Sequence, residues 1–280
     1  MSNSVARHAA VAASNELRRD FKDRDEMRQY LMEQFPDAAD VESCLSPIRG
    51  GRSAAQSRLN QFDALQYERS RNFLDGEVSG LSPYIRHSVL TLAEVREFIA
   101  GKFGLNRLFK FVQELAWRDY WQRLYFQLGD GIWQDREENK TGIDASCYSA
   151  AMPDDIVHGQ TGLACVDAFT NDLSANGYLH NHARMWLAAY VVHWRRVRWQ
   201  VGARWFLQHL LDGDPASNNL SWQWVASTFS SKPYFFNREN LERYTNGKYC
   251  RECPRRNSCP FNASYETLEA ELFHRTDGQQ

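Results

Sequence analysis

A short segment at residues 210–228, LLDGDPASNNLSWQWVAST, crowds together side chains that could do chemistry. Asp212 and Asp214 supply carboxylates, two adjacent asparagines supply amides, and Trp222 and Trp224 supply indole rings. Aspartate and asparagine favour helix caps and turns, so the segment fits a helix start with two core tryptophans. It also fits a binding site for a ligand that has several polar groups and a flat ring. Spacing alone leaves both interpretations open.

A second candidate is the small turn Ser-Gly-Leu-Ser at residues 79–82. Backbone amides exposed in such a turn can bind a phosphate, because Gly80 permits a close approach and Arg71 lies nearby in sequence as a source of positive charge. An ordinary loop that ends at a proline explains the turn equally well. A third candidate is the aromatic stripe FVQELAWRDYWQRLYF, which carries Glu114 and Trp117 at helical spacing, although such stripes usually belong to a core.

The C-terminal part contains three cysteines in a short basic loop, YCRECPRRNSCPF. Cys250, Cys253 and Cys259 form a C-x2-C-x5-C run, and three thiolates need a fourth ligand to complete a tetrahedral zinc site or a [4Fe–4S] cluster. Sequence spacing leaves zinc and iron both open. Cys44 and Cys147 are interpreted as ordinary thiols.

The elements that must position these residues are helical. The pattern T-x-x-E at Thr91 and Glu94 predicts a helix start, and helical spacing of apolar residues follows in VDAFTNDL and in ARWFLQHLL. No convincing run of alternating strand residues is present. The sequence therefore predicts an all-α fold with a helical extension at 1–50, a ligand-binding helical domain at 51–230 and a cysteine-bearing segment at 231–280 packed on that domain.

Composition limits the possible functions. With 280 residues, 43% of them hydrophobic, the chain can fill a sizeable core. Its net charge of −2 excludes a uniformly basic nucleic-acid coat and leaves only local patches for a polyanion. The longest apolar run, residues 185–194, is too short to span a bilayer, and no export signal is evident, so we expect a cytoplasmic protein with a buried helix there.

Read in order, the motifs resemble the FAD-binding domain of the photolyase and cryptochrome family. They are Y-x3-R, S-G-L-S-P-Y, E-L-x-W-R-D-Y, T-G-x3-V-D, H-N-x-x-R-M and D-G-D-x-A-x-N-N-x-x-W-Q-W, spread over about residues 52–228. The resemblance implies a folded-back FAD as cofactor. The residues that it implies for holding FAD are Tyr67, Ser79, Gly80, Leu81, Ser82, Arg118, Arg184, Asp212, Gly213, Asp214 and Asn218.

The resemblance also implies a lesion pocket. Members that split cyclobutane pyrimidine dimers have the set found here as Glu114, Trp117, Asn181, Met185 and Trp224. Members that repair the (6-4) lesion carry paired histidines in this segment, whereas here His180 is followed by Asn181. Implied electron-relay tryptophans are Trp222 and Trp199, with Tyr148 or Trp194 as the outer member, and implied DNA contacts are Arg71 and His182. Phe111 stands where many relatives carry tryptophan.

One prokaryotic branch of the family carries a [4Fe–4S] cluster, and its pattern implies Cys165, Cys250, Cys253 and Cys259 as ligands, with zinc as the alternative. The usual antenna domain has no counterpart ahead of the FAD-domain motifs, and the segment RDEMRQYLMEQF predicts one amphipathic helix there. We therefore expect a short, antenna-less and monomeric photolyase-like protein, with UV-damaged DNA as its partner and single-stranded DNA as a preferred form.

Three functions remain in competition. The retained pocket residues favour a DNA repair lyase driven by light through reduced FAD. The near-neutral charge and the missing antenna domain favour a cryptochrome-like photoreceptor that repairs nothing. A flavin and iron–sulfur electron carrier that works without light is the third.

Overall fold

The computed structural model describes residues 16–38 and 45–273. The chain divides into two compact units, residues 1–44 and 45–280. The first contains one α-helix of the described residues, α1 at Arg24–Gln34, where the amphipathic helix is predicted, and Asp23 caps it by accepting the backbone N–H of Glu26. The interpretation of Cys44 as an ordinary thiol lies outside the described residues.

The second unit is built from helices, as predicted, and the isolated bridge between Ser149 and Val197 is its nearest approach to a sheet in the described part of the chain. A π-helical turn, Tyr190–Trp194, follows the α-helix that ends at Ala189. The helices of this unit are α2 Arg52–Gln61, α3 Ala64–Ser70, α4 Ser82–Arg86, α5 Leu92–Phe103, α6 Phe109–Leu128, α7 Asp154–Val157, α8 Ala164–Asn176, α9 Asn181–Ala189, α10 Trp199–His209, α11 Pro215–Ala226, α12 Arg238–Tyr244 and α13 Tyr265–Leu272.

Helix starts follow local chemistry that the sequence shows. Thr91 accepts the backbone N–H of Glu94 while the Glu94 carboxylate accepts that of Thr91, which completes the predicted capping box of α5. The side chains of Asp63 and Ser264 cap α3 and α13 by accepting backbone N–H groups of the first helical turn. The helix α8 ends before Gly177, whose φ of 63° lies in the left-handed region that glycine adopts without steric cost.

One helical prediction is wrong at its end. The pattern ARWFLQHLL extends the helix through Leu211, but α10 ends at His209, and Leu211 is 37% exposed. Its backbone N–H donates to the Gly177 carbonyl at 2.8 Å, and its own carbonyl contacts the His87 ring at 2.9 Å. At Leu211 these two contacts with distant segments take the place of helical hydrogen bonds.

Two large hydrophobic cores hold the second unit together, and Leu268, Leu272 and Phe273 form a small third one. One includes Leu59, Phe62, Val95 and Phe111 on α2 to α6. The other, larger core contains the predicted apolar face of α8 together with the run at residues 185–194, which is buried as predicted. The pairing of α10 with α11 brings the end of the first candidate segment against this core. None of the helices in the described residues combines the length and apolar character needed to cross a membrane.

Candidate functional site

A cavity of about 490 Å³ brings together most of the predicted site residues. It is enclosed chiefly by α6, α9, α11 and the segment that joins α10 to α11. Thirteen predicted residues line it: Ser82, Glu114, Trp117, Arg118, Asn181, Arg184, Met185, Asp212, Gly213, Asp214, Asn218, Trp222 and Trp224. These residues come from four motifs separated by up to 142 positions, so the fold assembles one site from them.

An ion pair lies in the cavity wall. Arg184 Nη2 is 3.0 Å and 2.9 Å from the two carboxylate oxygens of Asp212, and Ser82 Oγ donates to Asp212 Oδ2 at 2.6 Å. Asp212 is buried, and the Arg184 Nε donates to the Leu179 carbonyl at 2.7 Å. The pair is therefore fixed from several directions and presents oriented polar groups to a ligand.

Asp214 caps a helix, as the first interpretation of this segment predicts, and it also lies in the cavity wall. Its Oδ2 accepts from the Ser217 backbone and hydroxyl, which caps α11, and from Gln122 Nε2 at 2.7 Å. Burial acts to raise the pKa of Asp214, but these hydrogen bonds and the nearby Arg118 hold that pKa below its usual value. Burial in turn lowers the pKa of Arg118, against the attraction of Asp214 and Asp212.

Glu114 is held by two cations at another part of the cavity wall. Lys110 Nζ lies 2.8 Å from Glu114 Oε1, and Arg71 Nη1 lies 3.4 Å from the same oxygen. Arg71 does not line the cavity itself, and it lies 5.9 Å from the centre of the Tyr67 ring. Burial, with a contribution from Glu114, raises the pKa of Tyr67 to about 12, so Tyr67 stays protonated.

Indole rings form the rim of the cavity. Trp117 is 45% exposed and Trp224 is 42% exposed, although both line it. Trp117 stacks on Trp121 with ring centres 5.2 Å apart, and Trp224 packs against Tyr234 at 5.2 Å. Half-open aromatic faces at a cavity mouth can stack on flat ligands that enter from solvent.

Trp222 lies deeper and is 2% exposed. Its Nε1 is a buried donor without a hydrogen-bond partner among the described residues. The neighbouring Asn218 donates from Nδ2 to the Ala203 carbonyl at 3.0 Å, which orients its amide.

The turn at residues 79–82 reaches the cavity only at Ser82. Arg58, which the sequence interpretation missed, donates to the Ser79 carbonyl at 2.7 Å and also to the Val78 carbonyl. A side chain at Gly80, where φ is 60°, would place its Cβ 3.0 Å from Arg58 Nε. Leu81 is buried in the core of α2 to α6, to which Tyr67 also packs. Arg58 thus supplies the charge beside this turn.

The remaining predicted residues lie away from the cavity. His182 is half-buried, with its ring stacked on Trp186 at 5.0 Å and on Tyr244 at 4.9 Å, and burial lowers its pKa. Trp199 is buried and donates from Nε1 to Asp135 at 2.6 Å. Of the two outer relay candidates, Tyr148 is buried, and Trp194 donates to the Pro260 carbonyl at 3.3 Å.

A separate small cavity is lined by the four predicted cysteine ligands, Cys165, Cys250, Cys253 and Cys259. Its walls are otherwise formed mainly by Leu163, Leu241, Phe261 and the side chains of Arg238 and Arg256. The Ala164 backbone N–H donates to the Cys253 sulfur at 3.5 Å. Burial raises the pKa of Cys165, and it raises that of Cys250 to about 11, so as free thiols neither is a nucleophile at neutral pH.

Among the described residues, no group of three or more His, Cys, Asp or Glu side chains is arranged to hold one metal ion. This finding supports neither the predicted zinc site nor the predicted [4Fe–4S] cluster. What the structure shows is that the four cysteines line one small cavity. Cys147 is exposed and lies apart from these four.

The sequence interpretation missed several site residues. Tyr178, Trp121 and Ser217 line the main cavity, and Gln122 reaches Asp214 from 92 positions away. Only Trp121 and Lys110 could have been found from spacing, because they lie one turn of α6 from Trp117 and Glu114 respectively.

The comparisons with known proteins agree with this geometry. Residues 111–270 match the family described as the FAD binding domain of DNA photolyase. A deoxyribodipyrimidine photo-lyase from Streptomyces griseus is 35% identical over 69% of this chain and 43% of its own length. A tomato (Solanum lycopersicum) chloroplastic/mitochondrial cryptochrome DASH is 31% identical over 63% of this chain and 32% of its own length.

Among solved structures, the crystal structure of a bacterial class III photolyase from Agrobacterium tumefaciens is similar, with a TM-score of 0.60 and 25% identity over 88% of this chain and 53% of that one. The chain spans less than half the length of the curated relatives it matches.

Proposed function

Because the chain belongs to the photolyase family through its FAD-binding domain, we propose that it is a light-dependent DNA repair protein that splits cyclobutane pyrimidine dimers. The observation that carries this proposal is the cavity that collects thirteen of the predicted cofactor, lesion and relay residues from four separate motifs. Homologues named deoxyribodipyrimidine photo-lyase support it. The substrate and the reaction are inferences from that cavity.

FAD is the cofactor of the proposal, and when bound and reduced it would supply, on excitation by blue or near-UV light, the electron that opens the dimer, and it would take that electron back once the ring has opened. The Arg184–Asp212 pair and Asp214 would orient the polar edges of the flavin and ribose, and the Asn218 amide would face the flavin. The backbone of the turn at Ser82, with Arg58 beside it, would face the phosphates.

The lesion would enter between the rim indoles. A dimer costs less to flip out of a helix than an intact pair of bases, because its stacking is already impaired. Trp117 and Trp224 would stack on it, and Met185 would fill the apolar side. Asn181 donates to the Met185 sulfur at 3.6 Å, so its amide is placed beside that side chain. Glu114, flanked by Lys110 and Arg71, would accept a hydrogen bond from the pyrimidine ring.

Two further assignments belong to this proposal. Trp222 and Trp199 would relay an electron to the bound flavin, with Tyr148 or Trp194 as outer member, since α10 and α11 pack together and both relay indoles are buried. A [4Fe–4S] cluster would be held by Cys165, Cys250, Cys253 and Cys259, which share one apolar cavity. The Ala164 backbone N–H, which donates to the Cys253 sulfur, would tune the potential of the cluster.

Damaged DNA in single-stranded form is the proposed preferred substrate. A dimer in a single strand has no partner strand to leave, so the unpairing cost is absent. The half-exposed rim indoles suit bases that are already unstacked. Arg71 contributes charge next to the pocket, and His182 contributes none at neutral pH, because burial lowers its pKa.

A cryptochrome-like photoreceptor is the alternative, and the similarity to a cryptochrome DASH favours it. The experiment that separates the two counts dimers remaining in an oligonucleotide after illumination with the flavin-loaded protein. Repair predicts dimer loss with the parent, and its abolition in Trp117→Ala and Asn181→Ala while flavin absorbance is kept. A photoreceptor predicts no dimer loss with any of the three, and that result would end the repair proposal.

A further inference from the structure

A cluster of aromatic rings continues outward from the cavity along one face of α6. Tyr120 and Trp121 lie three and four residues after Trp117, which places both on the side of the helix that carries Trp117. Trp117 and Trp121 line the cavity, whereas Tyr120 does not. Tyr120 is therefore the first ring beyond the rim.

The inner rings of this cluster are fixed in place. The rings of Trp117 and Trp121 stack with an interplanar angle of 24°, and Trp121 meets Phe229 edge-on with ring centres 5.9 Å apart. Tyr120 packs against both indoles, at 5.8 Å from Trp117 and 5.1 Å from Trp121. With its inner side held in this way, Tyr120 still leaves 48% of its surface in solvent. A rigid, half-exposed ring is a low-entropy platform for a flat ligand.

Charge distinguishes among the ligands that could use this platform. Of the two cations within one turn of Tyr120 on α6, Arg123 pairs with Asp119 at 2.7 Å, and Arg118 is half-buried in the cavity wall, where Asp214 and Asp212 attract it. A surface of this kind gains little from phosphates, whose recognition needs unpaired cations. Every nucleobase has a π-face that can stack on an aromatic side chain. The ligand that fits is a base.

We propose that Tyr120 stacks on an unpaired base next to the lesion, and that Trp117, Tyr120 and Trp121 form a stacking platform for single-stranded DNA. This inference rests on the proposed function, because it places the lesion at the rim indoles. In a duplex the neighbouring base stays stacked in its own pair and is not available to Tyr120. In a single strand it is free. The platform therefore supplies a physical cause for a preference between the two forms.

The test measures binding of an oligothymidylate that contains one dimer, as a single strand and as a duplex, to the flavin-loaded protein. Tyr120→Ala should weaken single-strand binding by about five- to a hundredfold, the range for loss of one base stack, and leave duplex binding within about twofold. Tyr120→Phe should bind like the parent. The matched control is Phe126→Ala on the same helix, because Phe126 is 92% exposed and belongs to no ring pair among the described residues.

Salt dependence separates stacking from a charge contact. Loss of a stack lowers affinity at every salt concentration and keeps the slope of log affinity against log salt, whereas loss of a phosphate contact reduces the slope. Equal slopes for the parent and Tyr120→Ala are expected. Equal weakening of both DNA forms, no weakening of either, or a reduced slope would overturn the proposal. Dimer splitting in the duplex is measured in the same samples, so failure of the repair function would be seen separately.

Discussion

The guanidinium of Arg184 contacts both carboxylate oxygens of Asp212, at 3.0 Å and 2.9 Å, in the wall of the main cavity. The two residues come from α9 and from the segment before α11, so this contact ties together two of the motifs that form the site. Asp212 is 6% exposed. Removing one partner of such a pair leaves an uncompensated charge in a poorly solvated place. This costs more free energy than the intact pair contributes.

Asp212→Asn should therefore lower the free energy of unfolding by about 2–3 kcal/mol, less than for a fully buried pair because Arg184 is partly solvated. Urea unfolding measures it, and flavin affinity should fall in parallel. The control is Asp119→Asn, which breaks the exposed pair with Arg123 and should change stability by less than about 1 kcal/mol. Equal effects of the two substitutions would contradict the role given to Asp212.

Gly202 is required by the ring of Trp222. A Cβ at Gly202 would lie 2.3 Å from Trp222 Cη2, so Gly202→Ala should displace the indole and cost about 1–3 kcal/mol of stability. Gly101→Ala is the matched control, because Gly101 lies inside α5 with nothing within 4 Å of the new Cβ. It should stabilise the protein by about 0.5–1 kcal/mol. Opposite signs in urea unfolding are expected, and destabilisation by both would refute the steric argument.

Stability should fall between about pH 6.5 and pH 4 because of His193. Burial lowers the pKa of His193 to about 4, so the native state keeps it neutral while the unfolded chain takes up a proton below about pH 6.5. The unfolded state binds more protons in this window, so stability is complete above it and declines as pH falls, by about 2–4 kcal/mol in total.

Unfolding midpoints measured across this pH range check the effect. His193→Asn should show a shallower decline than the parent, because asparagine does not titrate, and the exposed His158→Asn should keep the parent's slope. An unchanged slope in His193→Asn would remove His193 as the cause.

The proposed iron–sulfur site predicts a specific loss of iron. Cys253→Ser should reduce bound iron and sulfide and bleach a broad visible absorption band, since it removes one of four thiolates around the cavity. Cys147→Ser changes an exposed thiol outside the cavity and should leave both unchanged. Purified parent protein with no iron, or with stoichiometric zinc in its place, would contradict the assignment.

Much of the site was predictable because its residues lie in ordered motifs whose helical character is plain from spacing. Thr91 and Glu94 define the start of α5 by local hydrogen bonds, and the thirteen cavity residues follow from the motif resemblance. What escaped prediction depends on contacts between distant segments. Leu211 leaves its helix because of Gly177, and Gln122 reaches Asp214 across 92 positions. No local pattern encodes such contacts.

The central claim is light-driven splitting of a pyrimidine dimer by the flavin-loaded chain. The most direct measurement illuminates the photoreduced protein with a thymine-dimer oligonucleotide, single- and double-stranded, and follows the return of thymine absorbance in the ultraviolet. We predict recovery in the light and none in the dark, and faster recovery for the single strand. No recovery from either strand form, with flavin bound and photoreducible, would contradict the account and leave the photoreceptor as its replacement.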